Sequence, residues 1–156
     1  MLEVLNLGNN RIHDTFPLWM EALSQLRILI LRSNQFHGII GNPLTNHPFP
    51  LLQIINLSSN SFVGNLPSNM FKSWKAMMEE GKSQSLFLGK RITRSIYYQD
   101  TVFVVSKGLQ LELVKILIAF TIVDLSENEF HGDIPESIGD LKSLHVVNIS
   151  YNHLTG

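Results

Sequence analysis

Three histidines, His13, His37 and His131, each follow the apolar residue that closes a repeated motif (Ile12, Phe36, Phe130). His13 and His37 are 24 residues apart, one period of the repeat described below, so they fall on adjacent turns of the chain. Neighbouring imidazoles can share a metal ion or feel each other's protonation. No carboxylate or cysteine completes a ligand set here. They read as solvated loop side chains, and no metal is expected. The carboxylates offer catalysis as little. Glu79-Glu80 reads as a solvated helix end rather than an acid/base pair. Asp124, Glu127 and Asp133 recur in repeat phase and are expected to face solvent. No nucleophile elbow, HExxH helix or phosphate-cradling glycine loop is present, so neither enzyme activity nor a cofactor is expected. Asn56-Leu57-Ser58 and Asn148-Ile149-Ser150 are N-x-S sequons, which marks Asn56 and Asn148 as candidate glycosylation sites, both expected to be exposed.

Composition narrows the partners. The 156 residues carry 12 basic and 13 acidic side chains, a balance that gives no electrostatic reason to bind nucleic acid. Without cysteine there is no disulfide or thiol chemistry. The start of the chain lacks a basic region followed by an apolar one, so no signal peptide is expected. The eight uncharged residues from Ile116 to Val123 fall far short of the roughly 20 that a spanning helix needs. No membrane segment is expected.

The elements that position these groups come from a repeat. Leu5-Asn6-Leu7 with Asn10 and Ile12 reads L-x-L-x-x-N-x-L, and the pattern returns at Leu29 to Phe36, Ile55 to Phe62, Val123 to Phe130 and Val147 to Leu154. Asn10 to Asn34 and Asn128 to Asn152 are each 24 residues, Asn34 to Asn60 is 26, and Asn60 to Asn128 is 68, one period plus 44. In each unit a short strand points alternate side chains inward, so Leu5 and Leu7 are core and Asn6 is outward. Asn10, Asn34, Asn60, Asn128 and Asn152 sit where the chain turns away from the strand. Their amides can satisfy backbone groups that water does not reach, which makes them a structural ladder. Gly38, Gly64 and Gly132 follow four residues later, where the backbone bends tightly. The fold expected is an α/β-type repeat solenoid with a parallel strand per turn on its concave face.

Phase places a non-repeat insertion at residues 72–116, between repeats at 1–71 (three) and 117–156 (two, the last incomplete). The insertion holds eight basic and four acidic residues, leaving four basic and nine acidic for the repeats. A basic module thus sits on an acidic scaffold. Trp74, Met77 and Met78 at i, i+3 and i+4 predict a short helical turn packed on the solenoid, ended by Gly81. The run Thr101 to Val105, the turn Ser106-Lys107-Gly108 and the alternation of Leu109, Leu111 and Leu113 predict a β-hairpin with one buried face.

The 24-residue period with Gly-x-Ile-Pro elements (Gly132-Asp133-Ile134-Pro135) resembles the plant extracellular leucine-rich-repeat consensus. The insertion sharpens this. Tyr97-Tyr98-Gln99-Asp100-Thr101-Val102, then Lys107-Gly108-Leu109, then Leu113-Val114-Lys115-Ile116-Leu117 is similar to the island of plant receptor-like proteins of the Cf and Ve disease-resistance type. The chain departs from that family at Leu18, where a cysteine is often found. The resemblance implies a ligand-binding ectodomain portion of a cell-surface immune receptor, on the extracellular side of the plasma membrane. It implies recognition of a microbial extracellular protein or peptide, and signalling through co-receptor kinases of the leucine-rich-repeat type. A secreted inhibitor of microbial cell-wall-degrading enzymes, or a developmental receptor, are the alternatives. For partner binding, strand phase puts Arg27, Arg32, Gln53, Ser58, Glu127, His145 and Tyr151 on the concave face. In the insertion, Arg91, Arg94, Tyr97, Tyr98 and Lys107 combine aromatic area with charge, the usual hot-spot chemistry.

Overall fold

A computed structural model describes residues 2–79, 102–106, 109–113 and 121–156, with backbone alone for the two central runs. Each repeat opens with a three-residue strand: β1 (Val4–Asn6), β2 (Ile28–Ile30), β4 (Ile54–Asn56), β8 (Ile122–Asp124) and β10 (Val146–Asn148). These pair in parallel, in the order β1-β2-β4-β8-β10. A second parallel sheet, β11-β9-β5-β3, is built from β3 (His37–Ile39), β5 (Ser61–Gly64), β9 (Glu129–Asp133) and β11 (His153–Thr155), the segments that follow the ladder asparagines. Short helical turns fill the opposite side of three of the repeats: 3-10 turns at Leu18–Ala22 and Glu136–Asp140, and helix α1 at Ser68–Phe71. This is the α/β repeat solenoid that the period requires.

The main core lies between the two sheets and these turns. Leu29, Leu31, Ile55, Leu57, Val123 and Leu125 enter it from the first sheet. Phe36, Phe62 and Phe130, one per repeat, form a stacked spine with ring centroids 6.1 and 6.2 Å apart. The glycines that follow each adopt positive φ, as at Gly64 (+85°), where the chain turns into its helical segment and a Cβ would stand 2.9 Å from Ile39 Cγ2. A less visible regularity accompanies them. Asn9, Ser33, Ser59, Glu127 and Tyr151, the residues immediately before the ladder asparagines, all take φ between 53° and 57°. The strand-to-loop corner needs a left-handed residue, and non-glycine side chains supply it at every turn.

The long Asn60–Asn128 interval does not break the solenoid. β4 pairs directly with β8, Ile54 opposite Ile122 and Asn56 opposite Asp124. Before it departs, the chain completes a repeat turn. Helix α2 (Lys75–Met78) places Trp74 and Met77 in the main core. Their amides bond back three residues, Trp74 to Phe71 and Met77 to Trp74, as Leu23 and Leu26 do in the first repeat and Leu141 and Leu144 in the later one. Gly81, expected to end this turn, lies outside the described residues. β6 (Val102–Ser106) and β7 (Leu109–Leu113) pair antiparallel, Val102 opposite Leu113 and Ser106 opposite Leu109, across residues 107–108.

Candidate interaction surface

The outward slots of the first sheet form rows across its strands. Val4, Ile28, Ile54, Ile122 and Val146 are in mutual register. Two residues further on, Asn6, Ile30, Asn56, Asp124 and Asn148 form a second row, and Gly8, Arg32, Ser58, Ser126 and Ser150 follow in phase as a third. An aliphatic row therefore runs beside a row of amides and a carboxylate, which runs beside a row rich in hydroxyls.

Each polar residue of the second row turns its side chain along the strand. Asn56 Oδ1 accepts from the Ser58 amide (3.0 Å) and hydroxyl (2.7 Å), and Asp124 Oδ1 accepts from the Ser126 amide (3.1 Å) and hydroxyl (2.7 Å). Asn148 does the same with Ser150, and Asn6 with the amide of Gly8. The sequon serine is thus a hydrogen-bond partner of the sequon asparagine at both sites.

Alternation placed Asn56, Ser58 and Asp124 on a solvated face, and this is corrected. Asn56 and Asp124 are each 1% exposed and Ser58 is buried. Ile28, Ile30, Ile54 and Ile122 form a second apolar cluster, separate from the main core, that shares this burial. Burial lifts the Asp124 carboxyl above its ordinary range. The Ser126 hydroxyl and amide pull it back in part, Glu127 pushes it further up, and Arg32 lowers it slightly. Asn148, on the last strand, is half-buried.

The ladder asparagines bridge repeats. Asn34 donates to the carbonyls of Leu7 (2.9 Å) in the previous turn and Leu31 (3.0 Å) in its own, and accepts from the Ile12 amide (3.0 Å). Asn60, Asn128 and Asn152 repeat this set, accepting from Phe36, Phe62 and Phe130. Asn10 bonds only to Leu7 and Gly8 of its own turn. These amides are committed to backbone groups.

Of the candidate contact residues, Tyr151 is 81% exposed. Arg27 is drawn to Glu3 (3.5 Å) and to Gln53 (3.4 Å), half-buried beside the aliphatic row. Arg32, Gln53 and His145 are all engaged by partners. Glu127 accepts from the Ser59 hydroxyl at 2.6 Å, which ties two corners together. Arg91, Arg94, Tyr97, Tyr98 and Lys107 lie outside the described residues. His13 and His37 do meet, with ring centroids 4.4 Å apart, and His131 stands opposite His153 in the second sheet. Among the described residues no third ligating group joins any such set.

Glu21 is a residue that sequence reasoning missed. Its carboxylate is buried and accepts from the amides of Leu44 (2.9 Å) and Thr45 (3.0 Å) and from the Thr45 hydroxyl (3.1 Å). It pins the loop lengthened by two residues between Asn34 and Asn60. One carboxylate cannot be recognised as a loop clamp without knowing where that loop returns.

Comparison with known proteins agrees with this architecture. The Leucine Rich Repeat family model matches residues 1–23, 51–73 and 120–141. The chain is 50% identical over 145 residues to Receptor-like protein 18 of Arabidopsis thaliana and 50% identical over 148 residues to Receptor-like protein 32 of the same plant. Those matches cover 93% and 92% of this chain but 17% and 16% of the relatives' own length. In fold, the chain is similar to the receptor kinase HAESA, solved in complex with the peptide hormone IDA and the co-receptor SERK1 (TM-score 0.65, 24% identity, 99% of this chain and 18% of that one). It is also similar to the ectodomain of the receptor kinase SOBIR1 (TM-score 0.59, 23% identity, 99% and 60%), both proteins being from Arabidopsis. Among the described residues no helix is long and apolar enough to cross a membrane. The chain belongs to the plant extracellular leucine-rich-repeat receptor-like proteins.

Proposed function

We propose that this chain is a ligand-binding portion of a cell-surface immune receptor-like protein. It would recognise a microbial extracellular protein or peptide and signal through a co-receptor kinase. The observation that carries this is the five-strand concave sheet that stays continuous, β4 pairing directly with β8, across a long basic insertion. A repeat that served only as scaffold would not need the insertion, and the insertion's charge opposes that of the repeats. Residues 72–116 are taken as the module that confers partner choice, with Arg91, Arg94, Tyr97, Tyr98 and Lys107 as its contact groups. Arg27, Arg32 and Tyr151 contribute from the solenoid.

The similarity to plant receptor-like proteins supports a receptor placed on the extracellular face of the plasma membrane. Asn148 is proposed to carry a glycan there. Asn56, packed against Asp124 with Nδ2 to Oδ2 at 3.5 Å, has no room for one in this fold.

The test is capture of secreted microbial proteins by the complete ectodomain, with and without residues 81–107. Capture that the deletion abolishes supports the receptor reading. Inhibition of a pectinase that survives the deletion replaces it with the inhibitor reading.

A further inference from the structure

Phase along the chain puts His13 and His37 on adjacent repeats, and the fold decides how their rings stand. Two backbone bonds lace the segments together around the pair. The Gln35 amide donates to the Ile12 carbonyl and the His37 amide to the Asp14 carbonyl, each at 2.9 Å. The imidazoles come to lie with centroids 4.4 Å apart and planes tilted by 40°. His13 is exposed and His37 half-buried, so the pair is reached from solvent.

The spacing of the rings carries chemistry. A metal–nitrogen bond of about 2.1 Å sets the centroid of a ligated imidazole about 3.2 Å from the ion. Two rings bound at about 90° to each other then have centroids about 4.5 Å apart, and at the tetrahedral angle about 5.2 Å. The observed 4.4 Å matches the right-angled arrangement. Adjacent right-angled positions belong to the square-planar and tetragonal geometries of divalent copper and nickel, whereas structural zinc is tetrahedral.

A second observation concerns the tautomer. His37 Nδ1 lies 3.3 Å from the Gln35 carbonyl oxygen. A carbonyl only accepts, so Nδ1 carries the proton and donates it, and the lone pair of the neutral ring is left on Nε2. Metal-binding histidines are held in this way: the second ring nitrogen donates to a carbonyl or carboxylate, which fixes the ring and raises the basicity of the ligating nitrogen. His145 is differently committed, with its Nδ1 against the Thr121 hydroxyl at 2.9 Å. Asp14 Oδ1 is taken by the Thr15 amide at 2.7 Å, and among the described residues no third ligating group completes a set. Two imidazoles are therefore the whole ligand set that the described residues supply.

We propose that His13 and His37 form a two-imidazole site for a divalent copper or nickel ion, bound in adjacent positions with water in the others. β3 begins at His37, so the site belongs to the second sheet and lies across the core from the concave one. It is independent of the receptor reading and of the residues named for ligand contact.

The probe is copper(II) itself, titrated into the full chain without an affinity tag. Bound copper broadens nearby proton resonances. Substoichiometric amounts are expected to erase the ring signals of His13 and His37 before those of His47, His131, His145 and His153. In calorimetry, His13→Ala and His37→Ala are each expected to weaken copper binding about tenfold or more, as the loss of one of two ligands requires. The His131→Ala/His153→Ala double variant removes the other cross-strand histidine pair and is expected to leave the affinity unchanged. His13 is exposed, so its variant should melt with the wild type, which separates a lost ligand from a lost fold. Broadening led by another histidine or by the amino terminus, or equal broadening of all the rings, would overturn the proposal. So would a folded His13→Ala variant that binds copper as tightly as the wild type.

Discussion

Replacing Asn128 by alanine should cost far more than the same change at Asn10, though the two residues occupy the same consensus position. Asn128 is buried, and its Oδ1 is the acceptor for the amide of Phe62, which is 0% exposed. Its Nδ2 donates to Leu57 (3.0 Å), Leu125 (3.2 Å) and Ser126 (3.0 Å). Those carbonyls keep other partners after the change: Leu57 accepts from Asn60, Leu125 from Asn152, and Ser126 from the amide of Ser59. The Phe62 amide keeps none. One orphaned buried N–H costs about 1–3 kcal/mol, and weakening of the shared carbonyl bonds adds roughly another 1, giving a total near 2–4 kcal/mol. Asn10 is exposed, bonds only within its own turn and leaves no cross-repeat donor orphaned, so its loss should stay below about 1 kcal/mol. Urea unfolding of both variants, with unchanged m-values, measures the difference. Equal costs at the two sites would refute the claim that cross-repeat backbone satisfaction, rather than local turn geometry, is what the asparagines provide.

Gly64→Ala forces a Cβ onto a backbone at φ +85° and against Ile39, and should destabilise by about 1–3 kcal/mol. Gly139→Ala meets nothing within 4 Å and should be neutral or stabilising by up to about 1 kcal/mol in the same melts. Asp124→Asn keeps the Oδ1 acceptor and matches Asn6, Asn56 and Asn148 in register. Because burial raises the native Asp124 pKa above 3.8, the native state holds this proton more tightly than the unfolded chain does. Wild-type stability therefore falls as pH rises from 3.8 through the raised value, and the loss then persists at neutral pH. The variant should be more stable than wild type at pH 7, with the gain shrinking toward pH 4. A variant less stable at pH 7 would show that the carboxylate is held by a favourable partner. When the complete ectodomain is secreted from plant cells, Asn148→Gln should remove one glycan's mass and Asn56→Gln none, as read by intact-mass spectrometry.

How much of this was legible in the sequence depends on how local the cause is. The asparagine ladder and the glycine bends were readable because each repeat solves the same backbone problem with the same residue type. The left-handed corners at Asn9, Ser33, Ser59, Glu127 and Tyr151 were not. They share a position but no side-chain chemistry, and the geometry is imposed by the strand and the asparagine on either side. Trp74 and Met77 were recognisable as an apolar helical turn. Their role as the repeat's own core leucines was masked, because a tryptophan and a methionine stand where leucine is usual. Alternation correctly separated inward from outward slots, yet it says nothing about what lies beyond the outward face. Asn56 and Asp124 were therefore assigned to water. The corrective signal was present in Ile28, Ile30, Ile54 and Ile122, β-branched aliphatics in outward slots, Ile30 standing in the same row as Asn6 and Asn148.

The insertion's two roots are held by one short stretch of the following repeat, and this bears on how the surface can respond to a partner. At the entry, Met77 accepts from the Ser143 amide (2.9 Å) and Ala76 from its hydroxyl (3.3 Å). At the exit, the Thr121 hydroxyl donates to the Ser143 carbonyl and lies 2.9 Å from His145 Nδ1, while the His145 amide bonds to the Thr121 carbonyl at 3.1 Å. Residues 143–145 therefore clamp both ends of a long loop whose closure alone would tolerate wide variation. Since β4 and β8 pair directly, that clamp is continuous with the concave sheet and, through Asn128 and Asn152, with the ladder. A contact that shifted the insertion would strain a rigid frame rather than a slack linker. Its effect would be passed on through Ser143 and His145 to the last strand of the concave sheet.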